Sequence, residues 1–220
     1  MPEQIDETIK PKIYNDPISV AKRAKQKVYF AAQVDKSAML EKIIRGMDKA
    51  QALVLIKTKR AADNLSQYLK TRDINALAIH SNKGKQACEI GARAFEEGEI
   101  DILITTDMIL QSLELKDVEY VLGYDLPIEP EHYLDRIGCM SETGEAISLV
   151  SEEEETFLFL IERMLRQEIP QEELEGFDAT PKNDAEVKPV KTQKKKPRHR
   201  KQKSKKKGVE VKEEKHDDKA

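Results

Sequence analysis

The residues with the most chemical content lie in the stretch YLDRIGCMSETG, residues 133–144. Arg136, Ile137 and Gly138, followed by Thr143-Gly144-Glu145-Ala146, look like the remains of a site built to hold a triphosphate. A triphosphate concentrates negative charge, so such a site needs guanidinium or ammonium groups at the phosphates. Where that charge is needed, the sequence places Cys139 and Glu142. A second set of candidates pairs small hydroxyls with lysine: Thr58 and Lys59, Ser81 and Lys83, and Thr106 beside Asp107. Hydroxyls and backbone N–H groups donate to phosphate oxygens and lysine adds charge, which suits holding a polyanion rather than cleaving one. A third candidate is the run KTQKKKPRHRKQKSKKKG at 191–208, with eleven Lys/Arg in eighteen positions, among them Lys194, Lys195, Lys196, Arg198, Arg200 and Lys201. That density exceeds an ordinary solvated face and points to a nucleic-acid backbone. No aromatic residue is interleaved, so no sequence preference from stacking is expected.

These residues need elements to position them. The chain between 27 and 169 alternates between two periods. KVYFAA (27–32), ALVLIK (52–57), NALAIH (75–80), IDILITT (100–106), VEYVLGYD (118–125) and EAISLV (145–150) read as strands. Helical spacing marks 36–47, 59–72, 86–98 and 151–169, the last opening on a Ser cap and an acidic first turn. Strands alternating with helices of this length imply right-handed crossovers and a parallel α/β sheet covered on both faces. Ligands of such sheets sit beyond the carboxyl ends of the strands. The loops to inspect are therefore IKTK (56–59), IHSNKGK (79–85), TTDM (105–108) and YDLP (124–127).

Composition bounds the rest. Of 38 Lys/Arg and 41 Asp/Glu, residues 179–220 hold 16 and 7, leaving 22 against 34 in residues 1–178. An acidic body thus carries a basic tail, which is expected to be disordered when free and to seek a polyanion. Cys88 and Cys139 lie far apart with no metal-ligand spacing, so neither a disulfide framework nor a metal site is expected. The start has no apolar core and no run is long enough to span a membrane, so a cytoplasmic protein is expected.

The strand-end loops, in this order, resemble the second RecA-like domain of DEAD-box RNA helicases, in particular the RhlE-like branch. ALVLIKTKRAADNL is similar to that family's motif IV and AIHSNKGKQ to its His-Gly loop and Q-x-x-R pair. ILITTDMILQSLEL is similar to motif V, and YDLPIEPEHYLDRIG with TGEAISLV to motif VI and the strand after it. The resemblance covers roughly residues 1–178. It implies a linker at 1–25 resembling the end of a first RecA-like domain, a helicase C-terminal domain at 26–178 and the Lys/Arg-rich tail at 179–220. It also shows where the family pattern breaks. No G-x-x-x-x-G-K-[ST] loop and no Asp-Glu-Ala-Asp occur in the chain. Asp135 stands at the motif VI histidine, and Cys139 and Glu142 at its later arginines. Gln111 and Ser112 replace the motif V Arg-Gly, with Glu114 at its aspartate, and Lys85 and Cys88 stand at the Q-x-x-R pair. An arginine reaching the phosphates contributes about 10³–10⁵ in rate, or about 4–7 kcal/mol.

The resemblance therefore implies an RNA-binding domain that does not hydrolyse ATP alone. Thr58, Lys59, Ser81, Lys83, Thr106 and the tail lysines and arginines are its expected RNA contacts. Glu114 and Arg136 are the residues left for a nucleotide, no residue is assigned as catalytic, and no cofactor is expected for the chain alone. ATP and Mg²⁺ enter only if a separate helicase first domain completes the site in trans. The other alternative is a protein–protein adaptor, with a ribosome or degradosome-type complex as the partner class. Each candidate also has an ordinary structural role open to it. Thr58 is equally placed to cap the helix at 59–72, and Thr106-Asp107 to close a strand and cap a short helix. His80 at a strand end reads as a hydrogen-bonded structural residue. Arg136 near Asp135 and Glu142 reads as a local ion pair, worth about 0–1 kcal/mol if exposed. The run EEEE at 152–155 favours a helix N-terminus and needs no metal.

Overall fold

The computed structural model of the chain describes residues 16–47, 51–178 and 180. The chain divides into two units, Met1–Pro181 and Lys182–Ala220. The first unit holds every described residue; the basic tail positions, including Lys194 to Lys201, lie outside them.

Seven strands form one sheet in the order β3-β4-β2-β5-β6-β1-β7, and every pairing is parallel. The strands are β1 (Lys25–Phe30), β2 (Ala52–Leu55), β3 (Ala76–Ala78), β4 (Ile102–Thr105), β5 (Val118–Gly123), β6 (Met140–Val150) and β7 (Gln171–Glu172). The fold is the RecA-like α/β layer expected from the sequence. Helices α2 (Lys36–Gly46) and α3 (Lys59–Lys70) cover one face; α1 (Pro17–Arg23), α4 (Lys85–Glu96), α5 (Asp107–Leu110), α6 (Pro130–Gly138) and α7 (Glu155–Leu165) cover the other. The central strand β2 shows why: Ala52 and Val54 join the core under α2 and α3, while Leu53 and Leu55 face α4. All four are fully buried, as a parallel strand clad on both sides must be.

Three differences from the sequence reading have physical causes. Residues 17–23, expected within a linker, form α1, started by Asp16 accepting from the Ser19 N–H at 3.1 Å. Ala21 of that helix is fully buried in the cluster with Tyr133, Ile137 and Leu158, so α1 belongs to the domain. The helix expected over 151–169 begins as a 3₁₀ turn at Glu152–Glu154 and ends at Leu165, where Arg166 adopts φ 51°. Its last turn is replaced by the Ile169 N–H donating to Glu162 Oε1 at 2.9 Å. The strand expected over 145–150 begins five residues earlier, at Met140, directly after α6. Its register against β5 shifts between Val118 and Tyr120. Gly144 sits at that irregularity, where a Cβ would come within 2.8 Å of the Glu119 carbonyl oxygen and 3.0 Å of that of Val118.

Candidate nucleic-acid interface

All strands are parallel, so their carboxyl ends share one rim. At the ends of β2 and β3 this rim is basic. Residues 57–60 and 81–85 supply Lys57, Lys59, Arg60, Lys83 and Lys85 with no acidic residue among them, and all five are exposed. The two loops are tied to each other. Lys59 Nζ donates to Asn82 Oδ1 at 2.9 Å. Asp63, one turn into α3, accepts from His80 Nε2 at 2.9 Å and pairs with Lys83 Nζ at 3.1 Å. Partial burial opposes ionisation of Asp63, but Lys83 and His80 outweigh it and hold the carboxyl below its usual range. His80 itself is buried, and its Nδ1 has no hydrogen-bond partner. Thr58 takes the capping role: its Oγ1 accepts from the Ala61 N–H at 3.2 Å. Ser81 is exposed on the 3₁₀ turn Ser81–Lys83. The structure thus brings together Thr58, Lys59, Ser81 and Lys83 from two separate loops.

Thr106 lies at the end of the next strand, β4. It occupies the cap position of α5 but its side chain makes no capping hydrogen bond. Asp107 beside it meets Arg136 of α6 in a two-pronged ion pair, Nε to Oδ1 at 2.6 Å and Nη2 to Oδ2 at 2.8 Å. The third prong, Nη1, donates to the Asp125 carbonyl at 2.7 Å. The partner is therefore Asp107, not the sequence neighbours Asp135 and Glu142, and Arg136 is 2% exposed. Asp135 instead accepts from Gln111 Nε2 at 2.8 Å. These contacts fasten α6 to the loops after β4 and β5.

Neither position expected to replace a phosphate-binding arginine is available for that task. Cys139 is buried, its Sγ donates to the Arg136 carbonyl at 3.1 Å, and burial pushes its thiol up to about 11. Glu142 is an exposed residue near the start of β6, at the opposite end of that strand from the basic rim. Glu114 is exposed in the segment between α5 and β5. Three of the five N–H donors of Arg136 are taken by a carboxylate and a carbonyl, and the side chain is buried.

A further cluster escaped the sequence reading. Lys36, at the first position of α2, is fully buried, and its Nζ donates to the Tyr124 carbonyl at 2.8 Å. It forms an ion pair with Glu154 and lies 3.5 Å from Asp125 Oδ1. Glu154 also accepts from the Leu126 N–H at 2.9 Å, the Ser151 N–H at 3.0 Å and Ser151 Oγ at 2.9 Å. Burial works against its charge, yet Lys36 and these donors hold its carboxyl below the usual range. Asp125 Oδ2 accepts from the Lys57 N–H at 2.9 Å, so the cluster positions the start of the basic rim. In sequence, Lys36 looks like any surface lysine; only its place one residue after Asp35 at a helix start hints otherwise. Asp35 in turn accepts from the Thr180 N–H at 3.0 Å.

The rim, the buried arginine pair and the sheet order can be set against known proteins. Residues 35–139 match the helicase conserved C-terminal domain. That match covers just under half of the chain. Its fold superposes on the crystal structure of a DEAD box protein from Methanococcus jannaschii with a TM-score of 0.65 and 28% identity, over 70% of this chain and 43% of that one. Eukaryotic initiation factor 4A-8 of Nicotiana tabacum is 33% identical over 126 residues, 54% of this chain and 30% of that protein. The ATP-dependent RNA helicase RhlB of Xanthomonas axonopodis pv. citri is 28% identical over 182 residues, 81% of this chain and 32% of that protein. The chain thus spans about a third of the curated relatives it matches. Among the described residues, no group of His, Cys, Asp and Glu is placed to hold a metal ion. No helix there is long and apolar enough to cross a membrane.

Proposed function

We propose that the chain is a cytoplasmic RNA-binding module of DEAD-box helicase descent that holds single-stranded RNA without turning over ATP by itself. The observation that supports this reading is the separation of charge along the rim. Five exposed cations stand at the ends of β2 and β3, of which Lys83 pairs with Asp63 and Lys85 with Glu89 at the surface, while the guanidinium of α6 is buried against Asp107 and the Asp125 carbonyl. Gripping a phosphate backbone needs accessible positive charge, whereas stabilising phosphoryl transfer needs positive charge aimed at one phosphate. The rim offers the first. Thr58, Lys59, Ser81, Lys83 and Thr106 hold the backbone locally, and the tail residues 191–208, with their eleven Lys/Arg, supply most of the affinity. Binding of this kind is indifferent to sequence and weakens steeply with salt.

Removal of residues 179–220 tests the reading: most of the RNA affinity should disappear, and a tail-less chain binding as tightly as the full one would refute it. A second reading is completion in trans by a separate helicase first domain. An open groove of about 850 Å³ between α1, α6 and residues 110–116, lined by Gln111, Asp135 and Gly138 among others, favours it. That reading requires ATP turnover when the two pieces are mixed. A rate no higher than that of the first piece alone would end it.

A further inference from the structure

At the carboxyl ends of the adjacent strands β3 and β4, a cleft of about 340 Å³ opens between α4 and α5. Cys88, Ile109 and Leu113 make its apolar part, and Ser81, Lys85 and Ser112 its polar rim. The volume falls at the lower end of the roughly 300–1,000 Å³ typical of small-ligand clefts. Cys88 keeps the space open: it is the first buried residue of α4, and its small thiol is held back by the His80 carbonyl at 3.5 Å. Ser112 Oγ donates to the Ile109 carbonyl at 2.7 Å, leaving its oxygen able to accept. Glu89, also at the cleft, pairs with Lys85 at 3.6 Å.

We propose that this cleft receives one base of a single-stranded RNA whose phosphates lie along the lysine rim. The inference rests on the RNA-contact reading above and adds to it a place for a base. A nucleobase has apolar faces and polar edges, and the cleft repeats that division: aliphatic and thiol walls inside, and at the mouth hydroxyls, an ammonium and a carboxylate that together donate and accept. Ser81 belongs to both the rim and the cleft, so a backbone held at Lys83 and Lys85 passes the mouth. The exposed cations of the neighbouring loop, Lys59 and Arg60, favour a polyanion over an uncharged peptide as the occupant. Backbone contacts alone carry no base information; the cleft is where bases are felt.

The test compares binding of the full chain to a short single-stranded RNA and to an abasic strand of the same length and charge. The base-bearing strand should bind about fivefold tighter, on the scale of one buried base. Cys88→Met, which fills the cleft, should bring the two affinities together by weakening only the base-bearing strand. Equal affinities for the wild type, or an unchanged ratio in Cys88→Met, would overturn the proposal. If Cys88→Met does not fold, alkylation of the wild-type chain by iodoacetamide, read peptide by peptide, decides the matter. Saturating base-bearing RNA should slow reaction at Cys88, which lines the cleft, where the abasic strand does not, with Cys139, outside the cleft, as the internal reference; equal rates overturn the idea. Failure of both strands to bind would instead sink the RNA-binding reading itself.

Discussion

Lys36→Met would remove the one cation from a buried cluster and leave two carboxylates behind. Glu154 and Asp125 both face the Lys36 ammonium, whose side chain is fully buried, while theirs are 10% and 12% exposed. Methionine keeps most of the volume, so the cost is electrostatic rather than a cavity. Breaking a buried ion pair by deleting one partner costs about 3–5 kcal/mol. Against a total stability of roughly 5–15 kcal/mol, that is a large share. At roughly 2–4 °C per kcal/mol for a domain of this size, the melting temperature should fall by about 6–20 °C. The assay is urea or thermal unfolding followed by far-UV circular dichroism, with Glu154→Gln and the double variant completing a cycle. The single oxygen of the Glu154→Gln amide can accept on the Ser151 side or from the Leu126 N–H but not both, so that variant carries a cost of its own; with the Lys36 charge also gone, the double variant should still cost less than the sum of the singles by about 0.5–3 kcal/mol. Acid adds a second check. The Glu154 carboxyl is held below its usual range. Its contribution is therefore complete above the unfolded carboxylate value, near 4.3, and is lost as pH falls through the lower folded value. Glu154→Gln should flatten that part of the acid limb. A Lys36→Met penalty under about 1 kcal/mol, with no coupling to Glu154, would refute the claim that this cluster holds the start of the rim.

Other outcomes follow from named contacts. Lys59→Ala with Lys83→Ala should weaken RNA binding evenly across sequences and lower the salt slope by roughly 1.4, at about 0.7 per lost phosphate contact on a single strand; fluorescence anisotropy over a salt series reads this, and an unchanged slope would exclude both lysines. Asp107→Ala leaves the Arg136 guanidinium buried with only the Asp125 carbonyl, and should cost about 3–5 kcal/mol in chemical denaturation. Gly144→Ala pushes a Cβ to 2.5 Å from Met140 Cγ and 2.8 Å from the Glu119 carbonyl oxygen; the side chain can yield but the strand cannot, so a loss of about 1–3 kcal/mol in denaturant unfolding is expected.

The layer architecture was legible in the order of amino acids, because it depends on period and run length. ALVL is apolar at every position since both faces of β2 are covered, and the helices between strands carry one apolar stripe each. The loops that lie on the rim were legible too, since parallel strands send all their carboxyl ends the same way. Thr58 was readable as a cap because capping is a contact between near neighbours. Partners distant in the chain were not. Arg136 finds Asp107 twenty-nine residues away, and Lys36 finds Glu154 across one hundred and eighteen. Both pairings are made by the strand order β4-β2-β5-β6-β1, which brings the loops after β4 and β5 together for one pair and those after β1 and β6 for the other. The same holds for the cleft between α4 and α5, which exists because β3 and β4 are neighbours in the sheet. Local pattern sets what each segment can become; which charges meet, and which are left facing solvent, is settled only when the sheet brings their loops together.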